Sequence, residues 1–495
     1  MNSRHKIILD KKDTYRTLLT DTIPGDIPVM FSNDGFYINI KMNEAKKAPF
    51  ITKSIINRII NFEKLSKQDD CIPYKYRIIK NKDSFRTLSL PHPKSQIAMC
   101  ALYEKHSDII CHLCSESTFS IRRPLKVGSS FYKHEASQRK TLKGGGIDTI
   151  EQEMMYRHAS SYYSYGGFDR PHKFFDSQDY LDLESKFFSL LITDISHCFS
   201  SIYTHSISWS IKNKRYIKTN LTPSSKNFQF GELFDLTIRK SNENETNSIP
   251  IGPESSRVFA EIILQDTDKT IKQRLSDLGL KQGHDYEIRR YVDDFYVFSK
   301  STEICNKILL VIEDSLSLVN LHINKGKTQI YTRPFSTEIS EAISKCKKLI
   351  HEINERTITK DGDTYNYKRI YKPLYFVKNF IDEVKAICSS SDMGYSLVSS
   401  YIISALSKRI TFASYNLRKS SEEQKTNIRT YISSLTRITL FLFGVSPNVS
   451  ASEKIAKSFL ITESRIKKHF PSYNSEWQML ISTLISEITP PQESN

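Results

Sequence analysis

Two adjacent carboxylates interrupt an otherwise strand-like run in the sequence EIRRYVDDFYVFSK, residues 287–300. Polar and apolar residues alternate around Asp293 and Asp294, which is the pattern of two strands joined by a tight turn. Aspartate is disfavoured in strands, and two neighbouring carboxylates repel each other unless a cation lies between them. The segment is therefore predicted to be a hairpin that presents both aspartates at its turn, beside a positive ion.

A third carboxylate is expected on a neighbouring strand, because one hairpin provides too few oxygen ligands for a hard cation. Asp194 follows the apolar run SLLIT, residues 189–193, and precedes a segment with helical spacing. On its own, Asp194 would be interpreted as the N-cap of that helix. Together with Asp293 and Asp294 it makes three carboxylates on two strands, which is typical of two-metal phosphoryl-transfer sites. These aspartates are predicted to hold two Mg²⁺ ions, which Mn²⁺ can replace.

The charge balance of the chain favours nucleic acid as a partner. The 495 residues contain 71 Lys and Arg against 55 Asp and Glu, which gives a net charge of +16 and a pI near 9.2. Such an excess points to a polyanion, although a generally basic protein without that partner gives the same count. Residues 121–144 concentrate the excess, with Glu135 as their one acidic residue. The cations of this segment are Arg122, Arg123, Lys126, Lys133, Arg139, Lys140 and Lys143.

The apolar stretches of the sequence are too short for membrane insertion. None approaches the roughly 18 residues of a membrane span, and the run within residues 1–12 is too short for a signal peptide. Eight irregularly spaced cysteines suit a reducing cytoplasm. Cys111 and Cys114 are expected to be buried thiols on a helix, because no second ligand pair follows at zinc-site spacing. A cytoplasmic protein without a membrane partner is therefore expected.

The stretch Tyr291-Val292-Asp293-Asp294 resembles the YxDD motif of reverse transcriptases. Other segments resemble further motifs of that family in the same order, namely KNKDSFRTLSLP (80–91), FSIRRP (119–124), DISHCF (194–199), IPIGPESS (249–256) and LHINKGKT (321–328). The resemblance covers residues 70–335 and implies an α+β fold, with the right-hand-like fingers and palm of a reverse transcriptase followed by an all-helical C-terminal domain. The expected divisions are 1–185 for the N-terminal segment and fingers, 186–345 for the palm, and 346–495 for a helical bundle or irregular solenoid that replaces the thumb.

The resemblance also implies roles for individual residues. Asp194, Asp293 and Asp294 would bind the metal ions and catalyse nucleotide transfer. The residues expected at the nucleotide are Arg86, Ile195 through its carbonyl group, Phe199, Gly252 and Lys327. Phe199 would exclude ribonucleotides, and Ile251 stands where the family usually has Gln, so that a side-chain hydrogen bond is lost there. The residues expected to contact nucleic acid are Arg122, Arg123, Lys126 and Tyr291.

Two segments, DISHCFSSIYTHSISWS (194–210) and IPIGPESSRVFAEIIL (249–264), are most similar to bacterial abortive-infection (Abi-like) and defence-associated reverse transcriptases of the "unknown group". That similarity implies an RNA-directed DNA polymerase in anti-phage defence, working as a homo-oligomer. It would use dNTPs to copy an associated non-coding RNA into DNA.

Three alternatives remain open at this point. A template-independent polymerase of the same fold would start from a Tyr or Ser hydroxyl of the protein, and 26 tyrosines leave that choice open. A catalytically silent nucleic-acid-binding scaffold is disfavoured by the three aspartates, since unbalanced buried carboxylates are costly without metal. An RNA polymerase with a similar palm is disfavoured by Phe199.

Overall fold

The computed structural model describes residues 4–27, 31–60, 71–81, 84–134, 159–168, 170–212, 229–336, 338–361, 364–389 and 394–488. The chain divides into two compact units. The first unit comprises residues 1–76 and 87–335, and the second comprises residues 77–86 and 336–495. The predicted boundary at 345/346 falls within the helix Glu338–Thr357, and the division into fingers, palm and helical domain stays a prediction.

Strands and helices are mixed along the first part of the chain. The strands are β1 (Arg4–Ile8), β2 (Tyr74–Asn81), β3 (Ser84–Leu90), β4 (Arg122–Val127), β5 (Ser130–His134), β6 (Tyr163–Gly167), β7 (Ser189–Ser196), β8 (Tyr286–Tyr291), β9 (Asp294–Ser299), β10 (His322–Ile323) and β11 (Gln329–Thr332). The helices are α1 (Thr17–Thr20), α2 (Asp34–Glu44), α3 (Phe50–Ile60), α4 (Pro93–Leu113), α5 (Pro171–Phe175), α6 (Gln178–Lys186), α7 (Cys198–Ser201), α8 (Ser206–Lys212), α9 (Phe230–Lys240), α10 (Glu254–Asp277) and α11 (Thr302–Ser317).

An antiparallel sheet of strand order β10-β7-β9-β8, with β11 also pairing with β7, lies at the centre of the first unit. Strand β9 is buried on both faces of the sheet, to which its alternate residues point. Phe295 and Val297 of β9 belong to the main core, whereas Tyr296 and Phe298 belong to an aromatic cluster on the other face. The predicted hairpin is confirmed as β8 and β9, which pair from Tyr286↔Ser299 to Tyr291↔Asp294.

Two long helices cover the main-core face of this sheet. Helix α10 begins directly after Pro253, and Val258, Ile262 and Ile263 on its apolar face are all buried. Helix α11 is capped by Ser301, whose hydroxyl accepts a hydrogen bond from the Ile304 amide. A residue of this kind at the N-cap satisfies one of the amides that a helix leaves unpaired.

Besides parts of β2 and β3, the described residues of the second unit, from 336 onward, are helical apart from one short hairpin. Its elements are α12 (Glu338–Thr357), β12 (Ile358–Asp361), β13 (Thr364–Tyr367), α13 (Pro373–Cys388), α14 (Ser399–Asn416), α15 (Glu422–Val445), α16 (Val449–His469) and α17 (Asn474–Ser486). Helices α14, α15 and α16 enclose a separate core that includes Ile403 and Ile432. The expectation of an all-helical region thus needs one correction, which is the β12–β13 pair between the first two helices.

All eight cysteines are free and buried. Cys111 lies within α4 and Cys114 caps that helix, which confirms the prediction of buried thiols. Burial and the nearby Asp108 raise the pKa of the Cys111 thiol to about 11. None of the described helices combines the length and the apolar character that crossing a membrane requires.

Candidate active site

Asp194 and Asp294 face each other across two neighbouring strands. Asp194 lies near the end of β7, Asp294 begins β9, and the two are direct partners in the antiparallel ladder. Directly opposed residues project their side chains to the same face of a sheet. Leu190 and Phe298 lie on that same face of the two strands, inside the aromatic cluster. The strand pattern that suggested Asp194 as the third carboxylate thus corresponds to a real pairing of β7 with β9.

Asp293 lies in the two-residue turn between β8 and β9. Its carbonyl oxygen accepts a hydrogen bond of 3.1 Å from the amide of Ile195, so the turn is attached to β7 as well as to its own strands. Val292, the other turn residue, has φ 57°. A β-branched residue rarely adopts this left-handed conformation, which costs of order 1 kcal/mol and persists only where surrounding contacts enforce it. The turn that carries Asp293 is therefore held in a strained conformation.

A buried ion network holds this turn from behind. Arg290 of β8 is completely buried, and its Nη1 donates to the carbonyl oxygen of Val292 at 2.8 Å. The same guanidinium contacts two carboxylates of α10, with Nη1 to Glu261 Oε2 at 2.9 Å and Nη2 to Asp268 Oδ2 at 2.8 Å. Burial opposes the charge on Arg290, but these carboxylates raise its pKa above the ordinary value. The guanidinium thereby links the strained turn to a rigid helix.

The aspartates lie close enough to influence one another's charge. Burial and the neighbouring charges of Asp293 and Asp194 raise the pKa of Asp294 to about 7. The Nζ of Lys327 lies 2.7 Å from Asp194 Oδ2, and this hydrogen bond raises the pKa of Lys327. The other oxygen, Asp194 Oδ1, is buried and accepts no hydrogen bond from any described group. The site therefore attracts positive charge.

These carboxylates fit a divalent cation in their chemistry. Hard oxygen ligands suit Mg²⁺ and Mn²⁺, and the buried Oδ1 of Asp194 has a lone pair without a donor. Within the ranges that the structure describes, no group of three or more His, Cys, Asp or Glu side chains is arranged to hold a metal ion. In this arrangement the ammonium group of Lys327 supplies the positive charge beside Asp194.

The loop of residues 249–253 is fixed by its backbone. The amide of Ile249 donates to the carbonyl oxygen of Phe199 at 2.9 Å, and the carbonyl oxygen of Ile251 accepts from the amide of Ser89 at 2.9 Å. The Ile251 side chain stands where the sequence comparison expected Gln, and the loop is positioned here by main-chain groups. Phe199, at the start of α7, is partly buried against the main core. The hydrogen bond from the Ile249 amide therefore attaches the loop to a residue that the core holds in place.

Gly252 allows the N-terminal segment to lie against this loop. It has φ +123°, and a Cβ atom at this position would lie 2.7 Å from Cγ of Pro24. Pro24 and Pro253 form an isolated antiparallel bridge, so the close approach continues along the backbone. Both the positive φ and the contact with Pro24 require glycine.

Replacing Gly252 by Ala is expected to lower the free energy of unfolding by about 1–3 kcal/mol, because it adds backbone strain and a clash with Pro24. Gly279→Ala is the matched control, since Gly279 has φ +77° but nothing within 4 Å of its added Cβ. Urea unfolding of both variants measures the difference. Equal losses in the two variants would show that the contact between Gly252 and Pro24 does not contribute.

Arg122 is engaged by protein groups. Its Nη1 lies 2.7 Å from Oε1 of Glu254, the first residue of α10, and its side chain is 11% exposed. The guanidinium also lies 4.3 Å from the ring centroid of Tyr165 and 5.9 Å from that of Tyr291. The basic character of the surrounding sequence suggested a contact with phosphate, but at Arg122 the structure provides a carboxylate partner. Arg122 therefore joins α10 to the tyrosine that precedes the turn of Val292 and Asp293.

The other residues expected to contact nucleic acid differ in their surroundings. Arg123 is partly buried and donates through Nη1 to the carbonyl oxygens of Ser117 at 3.1 Å and Ser120 at 3.3 Å. Lys126 is exposed on β4. Arg86 is exposed on β3 and belongs to the second unit, apart from the residues above. Residues 135–144 of the basic segment, with Arg139, Lys140 and Lys143, lie outside the described residues.

The sequence reasoning missed Arg290, Glu261 and Asp268. Strand alternation places Arg290 on the same face as the buried residues Tyr286 and Ile288, so a charged residue at that position was itself a signal. Glu261 and Asp268 are seven residues apart, which puts them on one face of α10, about two turns from each other. An inward-facing arginine and two carboxylates on one face of a helix could therefore have been paired from the sequence.

Comparison with known proteins gives one family match. Residues 147–359, less than half of the chain, match the family described as reverse transcriptase (RNA-dependent DNA polymerase). This range includes Asp194, the 249–253 loop, the β8–β9 hairpin and Lys327. Enzymes that contain this domain are nucleotidyltransferases that use divalent metal ions. No curated protein matches the chain.

Solved structures of telomerases show weak similarity to the chain. Telomerase from Candida albicans, in complex with the TWJ fragment of telomeric RNA, has 12% sequence identity and a TM-score of 0.32, over 86% of this chain and 64% of that chain. Apo telomerase from Candida tropicalis has 9% identity and a TM-score of 0.31, over 97% of this chain and 76% of that chain. The chain thus spans less than two thirds of the first of these proteins.

Proposed function

We propose that this chain, which carries a reverse transcriptase domain at residues 147–359, is an RNA-directed DNA polymerase. The observation that supports this most directly is the pairing of Asp194 with Asp294 across two strands, next to Asp293 in a strained and braced turn. Asp293 and Asp194 raise the pKa of Asp294, and Lys327 lies next to Asp194, as expected for a site that receives cations and a triphosphate.

Asp194, Asp293 and Asp294 would hold two Mg²⁺ ions, with Mn²⁺ as a substitute. When bound, such ions lower the pKa of an attacking hydroxyl and stabilise the charge on the transferring phosphoryl group. The chain itself fixes the carboxylates, since the amide of Ile195 and the guanidinium of Arg290 both hold the turn. Rigid positioning of this kind is the main contribution of a protein to phosphoryl transfer.

The remaining residues would bind and orient the substrates. Lys327, 64% exposed next to Asp194, would exchange this carboxylate for the triphosphate, which Arg86 would also contact. The Gly252 loop would support the primer strand and the incoming nucleotide, with Ile195 contributing its carbonyl group. Arg123, Lys126 and the segment around them would lie along the template backbone, whose phosphates attract cations. Arg122, bound to Glu254, would hold the ring of Tyr291.

Phe199→Ala is expected to let the enzyme incorporate ribonucleotides. Removal of the ring would open space for the 2′-hydroxyl, and the ratio of kcat/KM for dNTP over NTP should fall by about tenfold or more, which corresponds to 1.4 kcal/mol. Primer extension with single dNTPs and NTPs measures this ratio. Phe199→Tyr, which keeps the ring, should retain the selectivity. An unchanged ratio in the alanine variant would mean that Phe199 does not discriminate between sugars.

We further propose a role in bacterial anti-phage defence, with a non-coding RNA as template and DNA as product. Support comes from the similarity of residues 194–210 and 249–264 to abortive-infection and defence-associated reverse transcriptases. Assembly into a homo-oligomer and a cytoplasmic location are parts of the same proposal. The net charge of +16 suits a protein that holds RNA and DNA at the same time.

Sequencing of the nucleic acid that co-purifies with the protein tests this function. A DNA product that matches a transcript encoded next to the gene, and that is released without proteinase, is expected for RNA-templated synthesis. Extension of a primer on a defined RNA template provides the direct assay of the activity. DNA without any genomic match that stays with the protein until proteinase treatment would contradict the proposal in favour of protein-primed, template-independent synthesis.

A further inference from the structure

A groove runs between the first two helices of the second unit. Helices α12 and α13 pack against each other, and the groove between them has a volume of about 690 Å³. The buried side chains of Ile353 on α12 and Phe380 on α13 form part of its floor. All of the lining residues belong to the second unit, whereas the three aspartates belong to the first.

The rim of the groove is rich in cations. Its basic residues are Lys345, Lys348, Arg356, Arg369 and Lys372, and its carboxylates are Glu352 and Glu383. Arg356 lies 3.6 Å from Glu352, whereas Lys345 and Lys348 form no ion pair with any residue that the structure describes. Cations clustered along a groove attract a polyanion, and the attraction weakens as salt increases.

Large aromatic side chains stand in solvent at the same rim. Tyr371 is 81% exposed and Tyr375 is 61% exposed, and the guanidinium of Arg369 lies 5.2 Å from the ring centroid of Tyr371. Leu374, between them, is 69% exposed. Exposed apolar groups that lie together within a charged rim mark a binding surface. Tyrosine faces next to arginine are suited to stacking on nucleobases, which all present a flat π-face.

We propose that this groove binds a single strand of nucleic acid, with its phosphates against the cations and its bases stacked on Tyr371 and Tyr375. Stacking on these rings requires unpaired bases, so a double helix fits the groove poorly. A second copy of this chain is a poor occupant, because it would bring the same positive charge to the groove. An acidic protein would satisfy the cations but would leave the two tyrosines without flat partners. The contacts involve phosphate and base faces, so binding is indifferent to the sugar.

Fluorescence anisotropy with the full-length chain tests this inference. The probe is a labelled oligo(dT) of about 20 nucleotides, longer than the roughly 4–16 nucleotides that a single-strand-binding OB fold covers. Tyr371→Ala with Tyr375→Ala should weaken binding by about tenfold or more, the effect of losing a stacked base. Lys345→Gln with Lys348→Gln should reduce the slope of log K against log salt by about 1.4, because two phosphate contacts are lost.

Matched controls distinguish binding at the groove from nonspecific attraction of nucleic acid to positive charge. Lys378→Gln with Lys385→Gln removes the same charge from α13 at positions that do not line the groove, and it should leave affinity and salt slope unchanged. An oligo(U) of the same length should bind within a few-fold of oligo(dT), and a blunt duplex should bind more weakly. Wild-type affinity in both groove variants, or tighter binding of the duplex, would overturn the inference.

The inference does not depend on polymerase activity. A chain with Asp293→Ala and Asp294→Ala is expected to bind oligo(dT) at the groove as tightly as the unmodified chain does, because these residues belong to the first unit. Absence of DNA synthesis would therefore count only against the proposed function. Unchanged oligo(dT) binding in the tyrosine and lysine variants would count only against the groove.

Discussion

Replacing Asp293 and Asp294 together by Ala is expected to abolish nucleotide incorporation while the protein stays folded. Removal of a single preorganised electrostatic stabiliser typically reduces kcat by roughly 10²–10³-fold, so loss of two of three carboxylates should exceed about 10³-fold. The fold should persist, since burial and the neighbouring charges of Asp293 and Asp194 both raise the pKa of Asp294, so the ionised cluster is itself a cost to stability. Primer extension on an RNA template measures the activity, and thermal unfolding without divalent ions should show an equal or higher midpoint.

A second double variant controls for the loss of two negative charges. Asp277→Ala with Asp314→Ala removes two exposed carboxylates from helices α10 and α11 of the same unit, and its activity should match that of the unmodified chain. In cells, the active-site double variant should also lose protection against phage. Normal incorporation by this variant would exclude the three aspartates as the catalytic centre. Normal protection without incorporation would assign the defence to an activity other than synthesis.

Arg290→Met is expected to produce the largest loss of stability in the first unit. Methionine approximates the length of the arginine but leaves Glu261 and Asp268 buried without a counter-charge, and breaking a buried ion network in this way costs about 3–5 kcal/mol. Urea unfolding measures the loss. Arg290→Lys should recover part of it, because the charge remains, whereas the paired hydrogen bonds of a guanidinium do not.

A variant that lacks all three charges of the network separates the contribution of Arg290 to stability from its role in positioning the turn. Combining Arg290→Met with Glu261→Gln and Asp268→Asn removes all three charges, so most of the lost stability should return. Polymerisation should stay low, because nothing replaces the hydrogen bond to the Val292 carbonyl that holds the turn. We expect a fall in kcat with little change in KM for the nucleotide. Full activity of this stable triple variant would show that Arg290 only stabilises the fold.

Local sequence patterns were enough to predict the framework of the site. Alternating residues of β8 and the continuous apolar run of β9 indicate the hairpin, and the apolar run before Asp194 indicates β7. Both patterns arise from short-range geometry, because a strand buried on one face alternates with a period of two and a strand buried on both faces is apolar throughout. The helix after Gly252 follows from its Pro/Gly start and the spacing of its apolar residues.

Pairing between distant charges was not predictable in the same way. Arg122 stands in a basic segment, which suggested phosphate binding, yet its partner is Glu254, far along the chain on α10. Lys327 was expected at a triphosphate, and it contacts Asp194 in this structure. Such contacts depend on how elements pack, which local composition does not determine. The β12–β13 hairpin is different, because the alternation in TITKDGDTYNY around an Asp-Gly pair was a usable signal that the prediction did not include.

The buried thiols give each unit its own probe of unfolding. Cys346 and Cys388 belong to the second unit and the other six cysteines to the first. Burial raises the pKa of the thiols of Cys346 and Cys388, and it keeps all eight thiols out of reach, so an alkylating reagent reacts with them only after the surrounding structure opens. Brief exposure to such a reagent, followed by mass spectrometry of the peptides, therefore measures the opening of each unit separately. No probe residue has to be introduced by mutation.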